Sequence, residues 1–160
     1  MRLAAELVAA LTERRLTIAV AESLTGGLLV AELIAVPGAS AVVRGGVVAY
    51  STELKHTLLG VPDDVLAAHG PVHPNVAGRM ASGVRNLLAV DGVPADIGLS
   101  TTGVAGPDPQ GEQQPGTVFV GVAMGADVRV VALHLEGTRT EIRDRVVSES
   151  LAALKALLDG

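Results

Sequence analysis

The 160-residue chain contains no cysteine and no tryptophan, and its only aromatic residues are Tyr50 and Phe119. Without cysteine there is no disulfide, no thiolate-held zinc and no thiol nucleophile. Two aromatics offer no stacking platform for single-stranded nucleic acid. A basic surplus is missing as well: 12 Lys and Arg stand against 17 Asp and Glu, a formal net charge of −5. Direct nucleic-acid binding is therefore not expected. Long apolar runs are absent too, since Gly, Arg or Glu cuts each one well short of a membrane span, so no membrane partner is expected. The N-terminus, Met1-Arg2-Leu3-Ala4-Ala5-Glu6, carries an early acid and reads on as an amphipathic helix, which is not the layout of a secretory signal. A cytoplasmic location is the expectation, and a cysteine-free chain is compatible with it.

What is present suits one core. Hydrophobic residues make up 49% of the chain and charged residues 18%, and the length fits one domain, residues 1–160. Apolar periodicity predicts a helix over 2–15, a strand over 17–22 and a helix over 25–35 that Val36-Pro37-Gly38 stops. A strand over 42–50 carries the glycine pair Gly45-Gly46, a mark of a bulge or of close approach by another group. Short helices over 52–59 and 62–68, a longer one over 74–90 and a strand over 95–101 follow. The hairpin strands 117–124 and 127–135 turn at Gly125-Ala126. Thr138-Arg139-Thr140-Glu141 reads as a capping box that opens a last helix to about residue 158. Strands alternating with helices, then a late hairpin, predict a three-layer α/β/α sandwich with a mixed, mostly parallel sheet of about five strands. Ligands in such folds lie beyond the carboxyl ends of the strands. Three polar, glycine-rich segments follow strands there: 22–27, 50–55 and 101–116.

The first of these is Glu22-Ser23-Leu24-Thr25-Gly26-Gly27, at the seam between strand and helix. A serine there is ordinarily a helix cap. Thr25 is an equally good cap, however, and each glycine costs a helix roughly 1 kcal/mol relative to Ala. The pair suggests close approach to the backbone, at a helix mouth whose N–H groups suit an anion or oxyanion. A reactive serine needs a base. Of the histidines, His69 and His73 have the i, i+4 spacing of a metal pair, but Gly70 and Pro71 deny them a continuous helix. They are expected in a loop and not as ligands; His134 falls in a hairpin strand and His56 is a weak base candidate. Lys55 is the better base if burial lowers its pKa, with Tyr50 to relay a proton or hold it. Spacing alone favours Ser23 as a cap over a nucleophile, Lys55 as a solvated helix lysine over a base, and Tyr50 as a core-edge residue. Residues 103–116 hold four glycines and three prolines. This loop lacks the Gly-Lys-Ser/Thr ending of a P-loop, yet it and Thr101-Thr102 suit a carbonyl, ribose or phosphate. Arg139, Arg143 and Arg145 cluster at the start of the last helix. Arg143 and Arg145 are expected to pair in part with acids such as Glu141 and Glu149. Arg139 is placed for an anion because it opposes the helix dipole.

Taken together, "AVAESLTGGLL", "VPGAS", "RGGVVAYSTELKHTLLGV", "MASGVRNLL" and "STTGVAGP…PGTVFVGV" resemble the CinA C-terminal domain family over about residues 5–157. Larger members carry this domain after a molybdopterin-binding-like domain that this sequence lacks. The resemblance implies a nicotinamide mononucleotide deamidase of pyridine nucleotide recycling that forms nicotinic acid mononucleotide and ammonia. It implies Ser23 as nucleophile with Lys55 and Tyr50, and neither metal nor cofactor. It implies substrate contacts at Thr101, Thr102, Gly103, Gly106 and Arg139; the reading of the residues adds Thr25, Gly26 and Gly27 at the helix mouth, and Gly45 and Gly46, which would let a substrate lie against the sheet edge. The expected partners are the small nucleotide substrate and further copies of the chain, as a dimer or larger homo-oligomer. In the implied mechanism the N–H groups opening the helix after Ser23 stabilise the oxyanion, with help from Thr101 or Thr102, and Glu22 orients Lys55 or a ribose hydroxyl. The alternatives are a non-catalytic nucleotide-binding sensor, or an amidase for another small amide. The chain departs from the family at Leu24, usually Cys, and at Val72-His73-Pro74, often Val-Ser-Glu; the latter bears on a helix start and a subunit contact.

Overall fold

A computed structural model describes residues 2–160. The chain runs α1 (Arg2–Arg14), β1 (Ile18–Glu22), α2 (Leu28–Ile34), a short 3-10 turn (Ala39–Ala41), β2 (Val43–Val48), α3 (Thr52–Thr57), α4 (Asp63–His69) and α5 (Pro74–Leu87). Then come β3 (Ile97–Gly103), β4 (Thr117–Met124), β5 (Asp127–His134) and α6 (Arg139–Asp159). The predicted order is present, with ends shifted by a few residues. The five-stranded sheet is ordered β2-β1-β3-β4-β5. β1 pairs in parallel with β2 and β3, β4 is antiparallel to β3, and β5 is antiparallel to β4. Only β4 therefore opposes the common direction.

β1 is buried along its whole length and divides the core by its alternation. Ile18 and Val20 face one side with Leu11 of α1, Leu29 and Leu33 of α2 and Leu154 of α6; Ala19 and Ala21 face Val76, Met80 and Val84 of α5 on the other. This is the period of 2 expected of a central strand. It gives the three layers: α1, α2 and α6, then the sheet, then α5 with α4. The residues on the α5 side of the sheet are small for a reason. A Cβ at Gly98 would fall 1.8 Å from Ala81 O, and one at Gly121 would fall 2.3 Å from Ala77 O. The backbone of α5 lies directly on the strands, and Ser100 Oγ donates to Ala77 O at 2.6 Å.

The glycine pair of β2 has a similar explanation. Gly45 takes φ 153° beside a register shift opposite Ile18/Ala19. A Cβ at Gly46 would come within 2.9 Å of Val30 Cβ. Gly45 and Gly46 thus form a bulge and a seat for α2, and neither lines the cavity over Ser23, as a substrate contact was expected to.

Because β1 leads to β2 on one side and the chain crosses to β3 on the other, the β1/β3 boundary is the topological switch point. Ser23 follows β1 there, and Thr101–Gly103 close β3 beside it. Gly98→Ala is expected to destabilise the fold by about 3 kcal/mol, because the backbone of α5 cannot yield as a side-chain tip would. Urea denaturation measures this; an unchanged midpoint would mean that α5 packs less tightly than described.

Candidate active site

Ser23 does not cap α2. The N-cap position is Gly27, and no side chain caps through it. Ser23 Oγ instead lies 3.0 Å from Lys55 Nζ. Lys55 comes from α3, is 1% exposed, and also donates to Ala49 O at 2.7 Å. No carboxylate faces it among the described residues. Burial in a low-dielectric setting penalises the ammonium, and it pulls the amine from its ordinary 10.5 down to about 8. Nζ donates to both oxygens, Ser23 Oγ and Ala49 O, and losing one proton would leave its lone pair within reach of the Ser23 hydroxyl. Ala49 also ties Lys55 to the end of β1, since its N–H donates to Glu22 O at 2.8 Å.

Glu22, the last residue of β1, is fully buried and has a role other than the expected one. Its carboxylate accepts from Leu29 N at 2.9 Å and Val30 N at 3.0 Å, filling the mouth of α2. It touches neither Lys55 nor the cavity, and the helix-mouth N–H groups expected to hold an oxyanion are already bonded. Gly26 and Gly27 have φ of 60° and 102°, in the left-handed region that side chains resist. A Cβ at Gly26 would also press on Arg143 Nη2 at 3.3 Å. Arg143 reaches across from α6 and donates from Nε to Leu24 O (2.8 Å) and from Nη2 to Thr25 O (3.3 Å). The expected pairing of Arg143 with Glu141 is replaced by this grip, while Arg145 does lie 3.9 Å from Glu149. Thr25 is buried, with its Oγ1 2.9 Å from Thr101 Oγ1, and Thr101 Oγ1 also accepts from Ser23 N at 3.3 Å. Thr25, Gly26, Gly27 and Thr101 therefore build the turn and do not line the cavity.

The cavity of about 440 Å³ opens above Ser23 and Lys55 and is walled by Tyr50, Thr102 and the segment Gly103–Gln110, with Arg139. Thr102 spends its hydroxyl proton on Pro71 O at 2.6 Å, so neither threonine directs a free hydroxyl at a reacting atom. Gly106 precedes a cis peptide to Pro107, and its carbonyl accepts from Arg139 Nη1 at 2.8 Å. Arg139 Nη2 donates to Tyr50 Oη at 3.2 Å. Tyr50 is 61% exposed and bonds to neither Ser23 nor Lys55, so the expected proton relay is not formed; it supports Arg139 at the rim. The base of the 103–116 loop is pinned, with Val104 N donating to Thr117 O and Gly116 N to Val104 O.

The histidines lie elsewhere. His69 ends α4, and His73 caps α5 by accepting from Asn75 N at 3.2 Å; the two rings stack 4.0 Å apart. His56 is held by Val61 O and Asp63. Sequence reading missed Ala49 and Arg143 in these roles. Arg143 was visible only as one of three clustered arginines, and nothing singled out Ala49.

The family model of the CinA C-terminal domain matches residues 1–158. A CinA-like protein of Frankia casuarinae is 47% identical over 151 residues, covering 94% of this chain and 34% of its own length. A CinA-like protein of Gemmatimonas aurantiaca is 46% identical over 154 residues, covering 96% and 35%. The chain spans about a third of the length of these relatives. Among solved structures, the competence/damage inducible protein CihA from Agrobacterium tumefaciens is similar with TM-score 0.90 and 31% identity, over 99% of this chain and 94% of that one. The competence damage-inducible protein A (ComA) from Klebsiella pneumoniae subsp. pneumoniae MGH 78578 has TM-score 0.90 and 34% identity, over 99% and 96%.

The buried amine carries a signature in stability. Unfolded, Lys55 titrates near 10.5; folded, at about 8. Between those values the unfolded chain binds more protons, so stability rises with pH; below 8 the burial cost is fully present. The drop from 10.5 to 8 corresponds to about 3 kcal/mol. Chemical denaturation of wild type and Lys55→Met at pH 7 and pH 10.5 is expected to show wild type gaining about that much on the variant at the higher pH. A constant difference would mean that Lys55 is not desolvated in the fold.

Proposed function

The chain belongs to the CinA C-terminal domain family, and from that premise we propose that it hydrolyses the carboxamide of nicotinamide mononucleotide to nicotinic acid mononucleotide and ammonia. The observation that carries this reading is a serine hydroxyl 3.0 Å from a desolvated lysine amine, at the floor of a cavity with an arginine at its rim. Serine alone is a poor nucleophile, and a neutral amine within hydrogen-bond reach supplies the missing base.

Neutral Lys55 takes the Ser23 proton as Oγ attacks the amide carbon, giving a tetrahedral oxyanion and an ammonium on Lys55. That proton passes to the departing nitrogen, which leaves as ammonia, and the acyl group remains on Ser23. Water, deprotonated by the restored amine, attacks the ester; the acid is released and Ser23 regains its proton. Since α2 lends its first N–H groups to Glu22, we assign the oxyanion to the amide next to the nucleophile, Leu24 N–H, which has no partner among the described residues. This is the usual place for such a donor, and Leu24 offers the same N–H that a cysteine would. Arg139, steadied by Tyr50 and Gly106, offers a guanidinium for the substrate phosphate at the rim.

Purified protein with nicotinamide mononucleotide is expected to release equal amounts of ammonia and nicotinic acid mononucleotide, followed by a coupled ammonia assay and chromatography. Free nicotinamide, which cannot use Arg139, should be turned over far more slowly. Ser23→Ala should reduce release to background with the fold retained; full activity in that variant removes Ser23 as nucleophile. If nucleotide binds but neither product forms, the chain is a binding module. The wild-type kcat/KM should climb about tenfold per pH unit and level off above about 8, as the Lys55 ammonium loses its proton. A profile flat through that range would leave Lys55 as a ligand contact and not a base.

A further inference from the structure

We propose that Glu22 and Arg143 are positioning residues that hold the Ser23 turn in its reactive shape from opposite sides; the proposal rests on the reading of Ser23 as nucleophile. The turn 23–27 has two left-handed glycines and is closed on itself by only two backbone bonds, Gly26 N–H to Ser23 O and Leu28 N–H to Thr25 O, each at 3.1 Å. Groups from outside the turn add the rest of its hold. Glu22 binds both Leu29 N and Val30 N, closing a ring of backbone from the end of β1 to the first turn of α2. Because Glu22 is the residue before Ser23, any rotation at the nucleophile strains these two bonds.

Arg143 works on the other strand of the turn. Its guanidinium draws the carbonyls of Leu24 and Thr25 toward α6. In a trans peptide the N–H points opposite to the C=O, so fixing Leu24 O also fixes the direction of the following amide. The contact crosses 119 residues of sequence, and Gly26 is left without a side chain where that guanidinium lies. A buried carboxylate with no cation of its own, and an arginine half-buried on carbonyls and not on an acid, are costly arrangements for a turn that served packing alone. Neither side chain lines the cavity, so neither is a catalytic residue.

The test uses a readout that does not depend on the substrate. A fluorophosphonate probe acylates an activated serine hydroxyl at phosphorus with loss of fluoride, and intact-mass spectrometry of the full chain follows the labelling of Ser23. Wild type is expected to label, and Ser23→Ala is not. Arg143→Met and Glu22→Gln should label about a hundredfold more slowly, the scale of a misplacement near 1 Å. The circular dichroism of each should match wild type. Millimolar methylguanidinium should restore a large part of the rate to Arg143→Ala but none to Glu22→Gln, a response that loss of general stability does not produce. Absence of labelling in wild type would overturn the nucleophile reading itself. Labelling of wild type with equal rates in folded Arg143→Met and Glu22→Gln would overturn the positioning roles. If Arg143→Ala is folded and slow but unmoved by methylguanidinium, the grip on the two carbonyls is not what sets the rate.

Discussion

A lysine amine buried without a carboxylate is the constraint from which the rest of this molecule is understood. Water would solvate Lys55 far better than Ser23 Oγ and Ala49 O do, and the fold accepts that cost. The result is an amine whose proton is held less tightly, with a pKa of about 8, next to the Ser23 hydroxyl. An acidic neighbour would have stabilised the ammonium and defeated the arrangement. Here the neighbours are a hydroxyl and a carbonyl, which tolerate the neutral form.

The fold serves this pair by bringing backbone very close to backbone. Gly98 and Gly121 let α5 descend onto the sheet, and Gly46 lets α2 do so from the other face. The ends of β1, β2 and β3 then converge, with Ala49 stitched to Glu22 on one side and to Lys55 on the other. Charges in the surrounding shell are given to the scaffold: Glu22 to the mouth of α2, Arg143 to the turn carbonyls. Arg139 alone of the three clustered arginines reaches the cavity.

Much of this was legible in the sequence, because apolar periodicity and glycine or proline stops are local signals. The strand ending at Glu22, the hairpin at Gly125-Ala126 and the capping box at Thr138–Glu141 all appear where their patterns put them. The start of α2 was read three residues early because Thr25 looks like a cap, whereas left-handed Gly26 and Gly27 delay the helix to Leu28. The roles of individual polar residues were harder. Glu22, Thr101 and Arg143 act through partners that lie far off in sequence or on another element, and no local pattern encodes which partner each finds. Family resemblance supplied Ser23 and Lys55 as a pair, whereas the glycine pair Gly45-Gly46, read as a place for substrate to approach, is used by the sheet for packing. The proton relay expected of Tyr50 is replaced by its bond to Arg139.

The ionisation of Lys55 is open to direct measurement. With lysine labelled by ¹³C at Cε, NMR titration of wild type and of Lys55→Met identifies the Lys55 resonance by difference and gives its midpoint. A midpoint at about 8 is the predicted result. A midpoint near the ordinary 10.5 would mean that the fold does not weaken the amine's hold on its proton, which would contradict the proposed base.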